Sequence, residues 1–226
     1  MTGISLFDVI GPNMVGPSSS HTAGAVSMAL LARKIFCGME EKQEKHMKRA
    51  DFTLYGSFAK TYKGHGTDRA LLGGILGFDT DDLRIREAFS YAEKAGLEYS
   101  FSLGDDEDLH PNTADIAIAG EEGDRLFVRG VSLGGGKVKI TRLNKIDVDF
   151  TGEYSTLIVS QRDRHGVAAH VTRCLSDCGV NIAFMRIYRE AKGADAYMVV
   201  ESDEKIQEEV IRRIRENPYI MDAMLL

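Results

Sequence analysis

From Thr156 to Leu226 the chain repeatedly changes the period of its apolar residues, and this limits its fold more than any other feature. Thr156-Leu157-Ile158-Val159-Ser160 has strand composition. A turn at Asp163-Arg164-His165-Gly166 then leads into Val167, Val171, Cys174, Leu175 and Cys178, whose spacing puts one apolar stripe on a helix closed by Gly179. A second strand is predicted to start at Val180-Asn181-Ile182. Ala196-Tyr197-Met198-Val199-Val200 reads as a third strand, and Ser202 or Asp203 as the cap of a helix with Ile206, Val210 and Ile214 on one face. Pro218 stops that helix, and Tyr219 to Leu226 supplies a last strand. The order is β-α-β-β-α-β, which packs two helices on one face of an antiparallel sheet.

A change of composition near Thr151-Gly152-Glu153 separates this half, residues 154–226, from a glycine-rich half, residues 1–150, so two domains are expected. The 226 residues are 43% hydrophobic and carry a net charge of −6, with 34 acidic against 28 basic side chains. That balance argues against nucleic acid or an anionic membrane as the main partner and favours a small ligand. The amino end, Met1 to Asp8, lacks a basic segment followed by an apolar core, and no run of 18 apolar residues occurs. Three scattered cysteines, Cys37, Cys174 and Cys178, make no disulfide framework, so a reducing, cytoplasmic setting is expected. Cys174 and Cys178 both fall on the helical stripe and read as core residues rather than metal ligands.

Chemistry concentrates in Gly16-Pro17-Ser18-Ser19-Ser20-His21-Thr22-Ala23-Gly24-Ala25, where a loop runs into a helix with apolar positions at Ala25, Met28, Ala29, Ala32 and Phe36. A helix start presents unpaired N–H groups and the positive dipole end, a receptacle for carboxylate or phosphate. Capping alone explains one hydroxyl, whereas four hydroxyl residues around His21 exceed that need. A second gathering, Thr61-Tyr62-Lys63-Gly64-His65-Gly66-Thr67-Asp68-Arg69-Ala70, follows the strand Asp51 to Leu54. Its glycines free the backbone on either side of His65, and Thr67 or Asp68 caps the helix through Ala70, Leu71 and Ile75; the alternative is a turn with a solvent-facing histidine. Leu71 to Gly77 lacks the spacing of a phosphate-binding loop and reads as a helix packed closely through its glycines. His110-Pro111-Asn112-Thr113 reads as a loop entering a strand, Leu126 to Val138 as strand, glycine turn and strand, and Glu40 to Arg49 as a solvated charged segment.

Taken in order, Ser18-Ser19-Ser20-His21-Thr22, Lys63-Gly64-His65-Gly66-Thr67-Asp68, His110-Pro111-Asn112-Thr113 and Ser132 to Val138 resemble the β chain of the iron–sulfur-dependent L-serine dehydratases over essentially the whole chain. Thr156 to Leu226 resembles an ACT domain, with Arg164-His165 standing where Asp/Lys-Pro often precede the glycine. The resemblance implies an allosteric-substrate-binding-like α/β domain, as in some phosphoglycerate dehydrogenases, followed by a ferredoxin-like ACT domain. It also implies conversion of L-serine to pyruvate and ammonia, with a 4Fe-4S cluster on a separate α subunit and none bound by this chain alone.

Under that resemblance His21 is the catalytic base or proton relay, its pKa held low by the helix start. Ser18, Ser19, Ser20 and Thr22 grip the substrate carboxylate, with Lys63, His65 and Thr67 completing the grip. Arg164, Gly166, Val167, Asn181 and Ile182 form an amino-acid effector site, and the ACT domain homodimerises. The alternative is a stand-alone amino-acid-binding regulatory protein.

Overall fold

The computed structural model describes residues 13–38 and 46–226. The amino end and Glu40 to Lys45 therefore lie outside the described residues.

Two sheets organise the chain. The first has the order β2-β1-β3-β4-β5-β6, with β1 at Met47–Leu54, β2 at Glu98–Leu103, β3 at Thr113–Gly120, β4 at Arg125–Gly134, β5 at Lys137–Leu143 and β6 at Ile146–Phe150. β1 and β2 run parallel, joined through helices α2 (Gly56–His65), α3 (Thr67–Ile75) and α4 (Ala88–Lys94), while β3 to β6 form an antiparallel meander. The segment read as solvated charge therefore has an ordered end, because Met47, Lys48 and Arg49 begin β1.

A helical run opens with a π turn at Ser19–Ala23 and continues as α1, Gly24–Cys37. Its buried face, from Ala25 through Met28, Ala29 and Ala32 to Phe36, packs on the sheet, with Met28 lying against Gly130 of β4. α1 also meets α3 very closely. A Cβ on Gly74 would stand 2.6 Å from both the Val26 carbonyl oxygen and the Ala29 Cβ, so glycine is what lets the two backbones approach. Strand alternation places Ala50, Phe52, Leu54, Ile116 and Val128 under the helices. Asp51, Asp115 and Arg129 alternate onto the opposite face, where Asp115 is 7% exposed and takes the Arg129 guanidinium in a two-point pair at 2.6 and 2.7 Å.

The second sheet has the order β10-β7-β9-β8 and is antiparallel throughout. It comprises β7 (Ser155–Arg162), α5 (Val167–Asp177), β8 (Phe184–Arg189), β9 (Asp195–Ser202), α6 (Glu208–Ile214) and β10 (Ile220–Leu225), the ferredoxin-like order expected from the apolar periods. Two local expectations are corrected. Residues 180–183 form no strand, and the Asn181 amide is given to the Glu204 carboxylate at 2.9 Å, so the second strand starts at Phe184 rather than Val180. Ser202 ends β9 instead of capping a helix, and Ile206 is buried ahead of α6, whose first residue is Glu208.

Hydrophobic packing crosses between the sheets. Ile158, Val199 and Met224, on the second sheet's face away from its own helices, belong to the first sheet's core cluster. Tyr188 donates its hydroxyl to the Asp149 carbonyl, and Asn144 donates from Nδ2 to the Tyr197 hydroxyl at 2.8 Å.

Candidate functional site

One end of the first sheet gathers the chemistry. The carboxyl end of β1 turns through Tyr55 and Gly56 into Ser57, and the Pro111 carbonyl pins that turn by accepting from the Ser57 and Phe58 amides at 2.7 and 3.2 Å. The end of β4 brings Ser132, fully buried, whose hydroxyl donates to the Ser20 carbonyl at 2.9 Å. The glycine hairpin after it ties the Gly136 amide to the Ser19 carbonyl at 3.2 Å. The π turn is thus clamped from two strand ends, and such turns often mark functional sites.

Within the turn Ser18 is the cap, its hydroxyl accepting from the His21 amide at 3.1 Å. The His21 imidazole has a hydroxyl at each nitrogen. Ser18 and Ser20 lie 3.3 and 3.2 Å from Nδ1, and Ser57 lies 2.9 Å from Nε2. Because a hydroxyl both donates and accepts, the ring is satisfied in either tautomer and can pass a proton across itself. Burial, and then the neighbouring His65, hold the His21 pKa below its ordinary value of 6.5. The direction matches the sequence expectation, with desolvation and a second imidazole as its causes.

The two gatherings read as separate along the chain are one site. The rings of His21 and His65 meet edge to face at 4.8 Å, and Phe58 takes another edge of His21 at 5.2 Å. A correction concerns how His65 is held. Lys63 and His65 sit in the last turn of α2 rather than at a helix start, because Gly64 stays helical and only Gly66, at φ +66°, breaks the run. His65 Nδ1 is buried without a hydrogen-bond partner.

Two threonines expected to hold substrate turn inward. Thr22 is buried and donates to the His65 carbonyl at 3.0 Å, which fixes the end of α2 against the π turn. Thr67 is fully buried, and its hydroxyl neither caps α3 nor reaches solvent. Ser18, Ser19, Ser20, His21 and Ser57 are all half-buried. Ser57 had a sequence signal in its place directly after a strand end, where ligands gather in α/β folds.

Beside His65 opens a cavity of about 220 Å³, lined by Gly16, Thr22, Lys63, His65, Arg69 and Arg86 among others. Ser18, Ser19, Ser20 and His21 are not among its lining residues. Arg69 and Arg86 lie far apart in sequence and carried no signal as a pair.

In the second sheet, Gly166 holds a left-handed φ of +85° at the start of α5, Val167 is buried, and Arg164 and Asn181 are exposed. Arg164, Gly166 and Val167 lie at one end of the sheet, where Asp163 accepts from the Gly193 amide at 2.9 Å, whereas Asn181 and Ile182 lie at the opposite end, before β8 and beside Glu204, so one copy of the domain does not bring the five together.

The cysteines do not converge on an iron cluster. Cys37 ends α1, Cys174 is buried within α5, and Cys178 caps that helix beside Arg213. Among the described residues no group of three or more His, Cys, Asp or Glu could hold a metal ion, and no helix is long and apolar enough to cross a membrane.

Comparison with known proteins agrees with this layout. Residues 5–142 match the family described as serine dehydratase beta chain, and residues 155–218 match the ACT domain. The chain is 42% identical over 219 residues to a protein named probable L-serine dehydratase, beta chain, from Bacillus subtilis (strain 168), covering 97% of this chain and 96% of that one. It is 42% identical over 211 residues to the L-serine dehydratase, beta chain, of Peptoniphilus asaccharolyticus, covering 92% and 91%. A D-3-phosphoglycerate dehydrogenase of Bacillus subtilis (strain 168) is 24% identical over 159 residues, covering 70% of this chain and 30% of that one.

Proposed function

The chain belongs to the serine dehydratase beta chain family and ends in an ACT domain, and from that premise we propose that it works with a separate α subunit to convert L-serine to pyruvate and ammonia in the cytoplasm. The donor set of this chain does not fit a 4Fe-4S cluster, so the cluster and the expulsion of the substrate hydroxyl belong to the partner.

The supporting observation is an imidazole with a hydroxyl on each ring nitrogen and a lowered pKa, set at the start of a helical run. At neutral pH that ring is uncharged and able to accept a proton. The hydroxyls of Ser18, Ser19 and Ser20, with the backbone N–H groups that open the run, bind the serine carboxylate. Removal of the α-proton passes through His21, with Ser57 holding the far nitrogen and His65 beside the ring. Lys63, on the cavity side of His65, adds long-range attraction for the carboxylate rather than a direct contact. Thr22 and Thr67 act from beneath, as packing for α2 and α3.

The ACT domain binds an amino-acid effector at an interface between two copies, with Arg164, Gly166 and Val167 contributed by one copy and Asn181 and Ile182 by the other. It also pairs with a second copy, for which the edge strand β8 offers exposed Phe184, Met185 and Ile187.

The deciding experiment replaces His21 with Asn and assays pyruvate anaerobically with the α partner. Turnover is expected to fall by about 10²–10⁴-fold, the contribution typical of one acid–base group, with assembly of the pair intact by gel filtration. Undiminished turnover rejects the role. Serine binding without pyruvate from any partner points to the regulatory reading instead.

A further inference from the structure

We propose that Tyr55 is a positioning residue for His21: its side chain, locked on the far face of the first sheet by Asp115, Arg129 and Gly104, sets where α2 stands against the imidazole. The inference rests on His21 being the group that carries the proton, and its test reads the ring itself as well as turnover.

Among the described residues, the contacts of the His21 ring outside its own turn all come from α2. Ser57 lies 2.9 Å from Nε2, and Phe58 and His65 meet the ring edge to face at 5.2 and 4.8 Å. These three residues run from the first turn of α2 to its last residue. The placement of the whole helix therefore fixes the surroundings of the imidazole.

α2 begins directly after Tyr55. The Tyr55 amide donates to the Thr113 carbonyl at 3.1 Å, the Tyr55 carbonyl accepts from the Ala59 amide at 3.2 Å, and no side chain caps this helix start. What holds it lies behind the sheet. The Tyr55 hydroxyl donates to the buried Asp115 carboxylate at 2.8 Å. Arg129 grips the same carboxylate at two points, and its guanidinium carbon stands 5.4 Å from the centre of the Tyr55 ring. Gly104 packs against that ring so closely that a Cβ on it would stand 2.7 Å from Cδ1 and 2.9 Å from Cζ. Its φ is not left-handed, so the approach to Tyr55 is what asks for glycine there.

The lock joins three strands. Tyr55 follows β1, Asp115 lies in β3 and Arg129 in β4. The ends of the same strands carry Ser57, the Pro111 carbonyl that takes the Ser57 amide, and Ser132, which anchors the π turn at the Ser20 carbonyl. A fully bonded frame on one face thus stands behind the anchors on the other, the kind of support that keeps a reacting group in register. No described contact joins Tyr55, Asp115 or Arg129 to the His21 ring, so their effect on the chemistry passes through α2.

Tyr55→Phe keeps the ring and removes the hydroxyl. Tyr197→Phe is the matched control, since it removes a tyrosine hydroxyl that takes a 2.8 Å bond from Asn144 in the second sheet. With the α partner under anaerobic conditions, Tyr55→Phe is expected to lower kcat by about 10- to 10²-fold, the scale of a misplacement of about 1 Å, with little change in KM for L-serine. Histidine NMR of the isolated chain should show the His21 midpoint rising towards 6.5, because a loosened α2 withdraws both the burial and the His65 ring that hold it down. Tyr197→Phe should move neither readout. Gly104→Ala, which presses on the ring from its other side, should reproduce both changes and serves as the test should Tyr55→Phe not fold. A Tyr55→Phe chain that behaves like Tyr197→Phe overturns the proposal. So does a fall in turnover with the His21 midpoint unmoved, which leaves the tyrosine a contributor to stability alone. Should His21→Asn itself leave turnover intact, the proton-carrying role of His21 fails, and the midpoint in the isolated chain still decides whether Tyr55 sets α2 against the ring.

Discussion

The His21 ring meets the His65 ring edge to face with centroids 4.8 Å apart, although the two residues belong to different helical segments and lie 44 positions apart. Burial is the larger cause of the lowered His21 pKa and His65 the smaller. Two consequences follow in sign. The unfolded chain binds a proton at this residue before the folded one does, so stability is full above pH 6.5 and is lost as pH falls from there through the folded pKa. Replacing His65 with Asn removes the smaller cause only, so the His21 pKa should rise part of the way towards 6.5. Histidine NMR titration of the isolated chain checks this, and an unmoved or lowered midpoint contradicts it.

Ser132 is fully buried and donates to the Ser20 carbonyl. Its replacement by Ala leaves that carbonyl short of a partner, at a cost of about 1–3 kcal/mol. We predict a lower midpoint in urea, and a larger fall in turnover than in expression or partner assembly, because the π turn loses its anchor to β4.

The pair of Asp115 and Arg129 is the most buried ion pair described, with side chains 10% and 16% exposed, and Tyr55 donates its hydroxyl to the same carboxylate at 2.8 Å. The Asp115 carboxylate holds the Arg129 guanidinium far above its ordinary pKa. Asp115→Ala should destabilise by about 3–5 kcal/mol, since it strands a buried cation. The double variant Asp115→Leu/Arg129→Met should recover most of that loss in denaturant unfolding. Failure to recover would show that the pair itself, rather than the stranded charge, supplies the stability.

Two helical glycines should respond in opposite directions. Gly74→Ala forces a methyl against the Val26 carbonyl and Ala29, and should cost about 1–3 kcal/mol by overpacking. Gly64→Ala meets nothing and should stabilise by about 0.5–1 kcal/mol through helix propensity. Thermal unfolding of the two variants reads both signs at once.

The apolar spacing of Val167, Val171, Cys174 and Leu175 was enough to place α5 and its buried face, because a period of 3.6 against an alternating strand is a local property of the chain. The starts of β8 and α6 were less legible. There a tertiary contact, the Asn181 amide on the Glu204 carboxylate, holds the connection ahead of β8, and Ile206 is buried by its packing rather than by membership of a helix.

For the site, the sequence by itself determined which residue types gather: the hydroxyl run around His21, and His65 between two glycines. Only the tertiary structure decided that they form one site, that Thr22 and Thr67 face inward, and that Ser57, Arg69 and Arg86 join the neighbourhood. The physical reason is range. Capping, turn formation and apolar periodicity act over a few residues and are written in the local order of the chain, whereas the approach of α2 to the π turn depends on how α1, α2 and α3 pack on one face of a shared sheet.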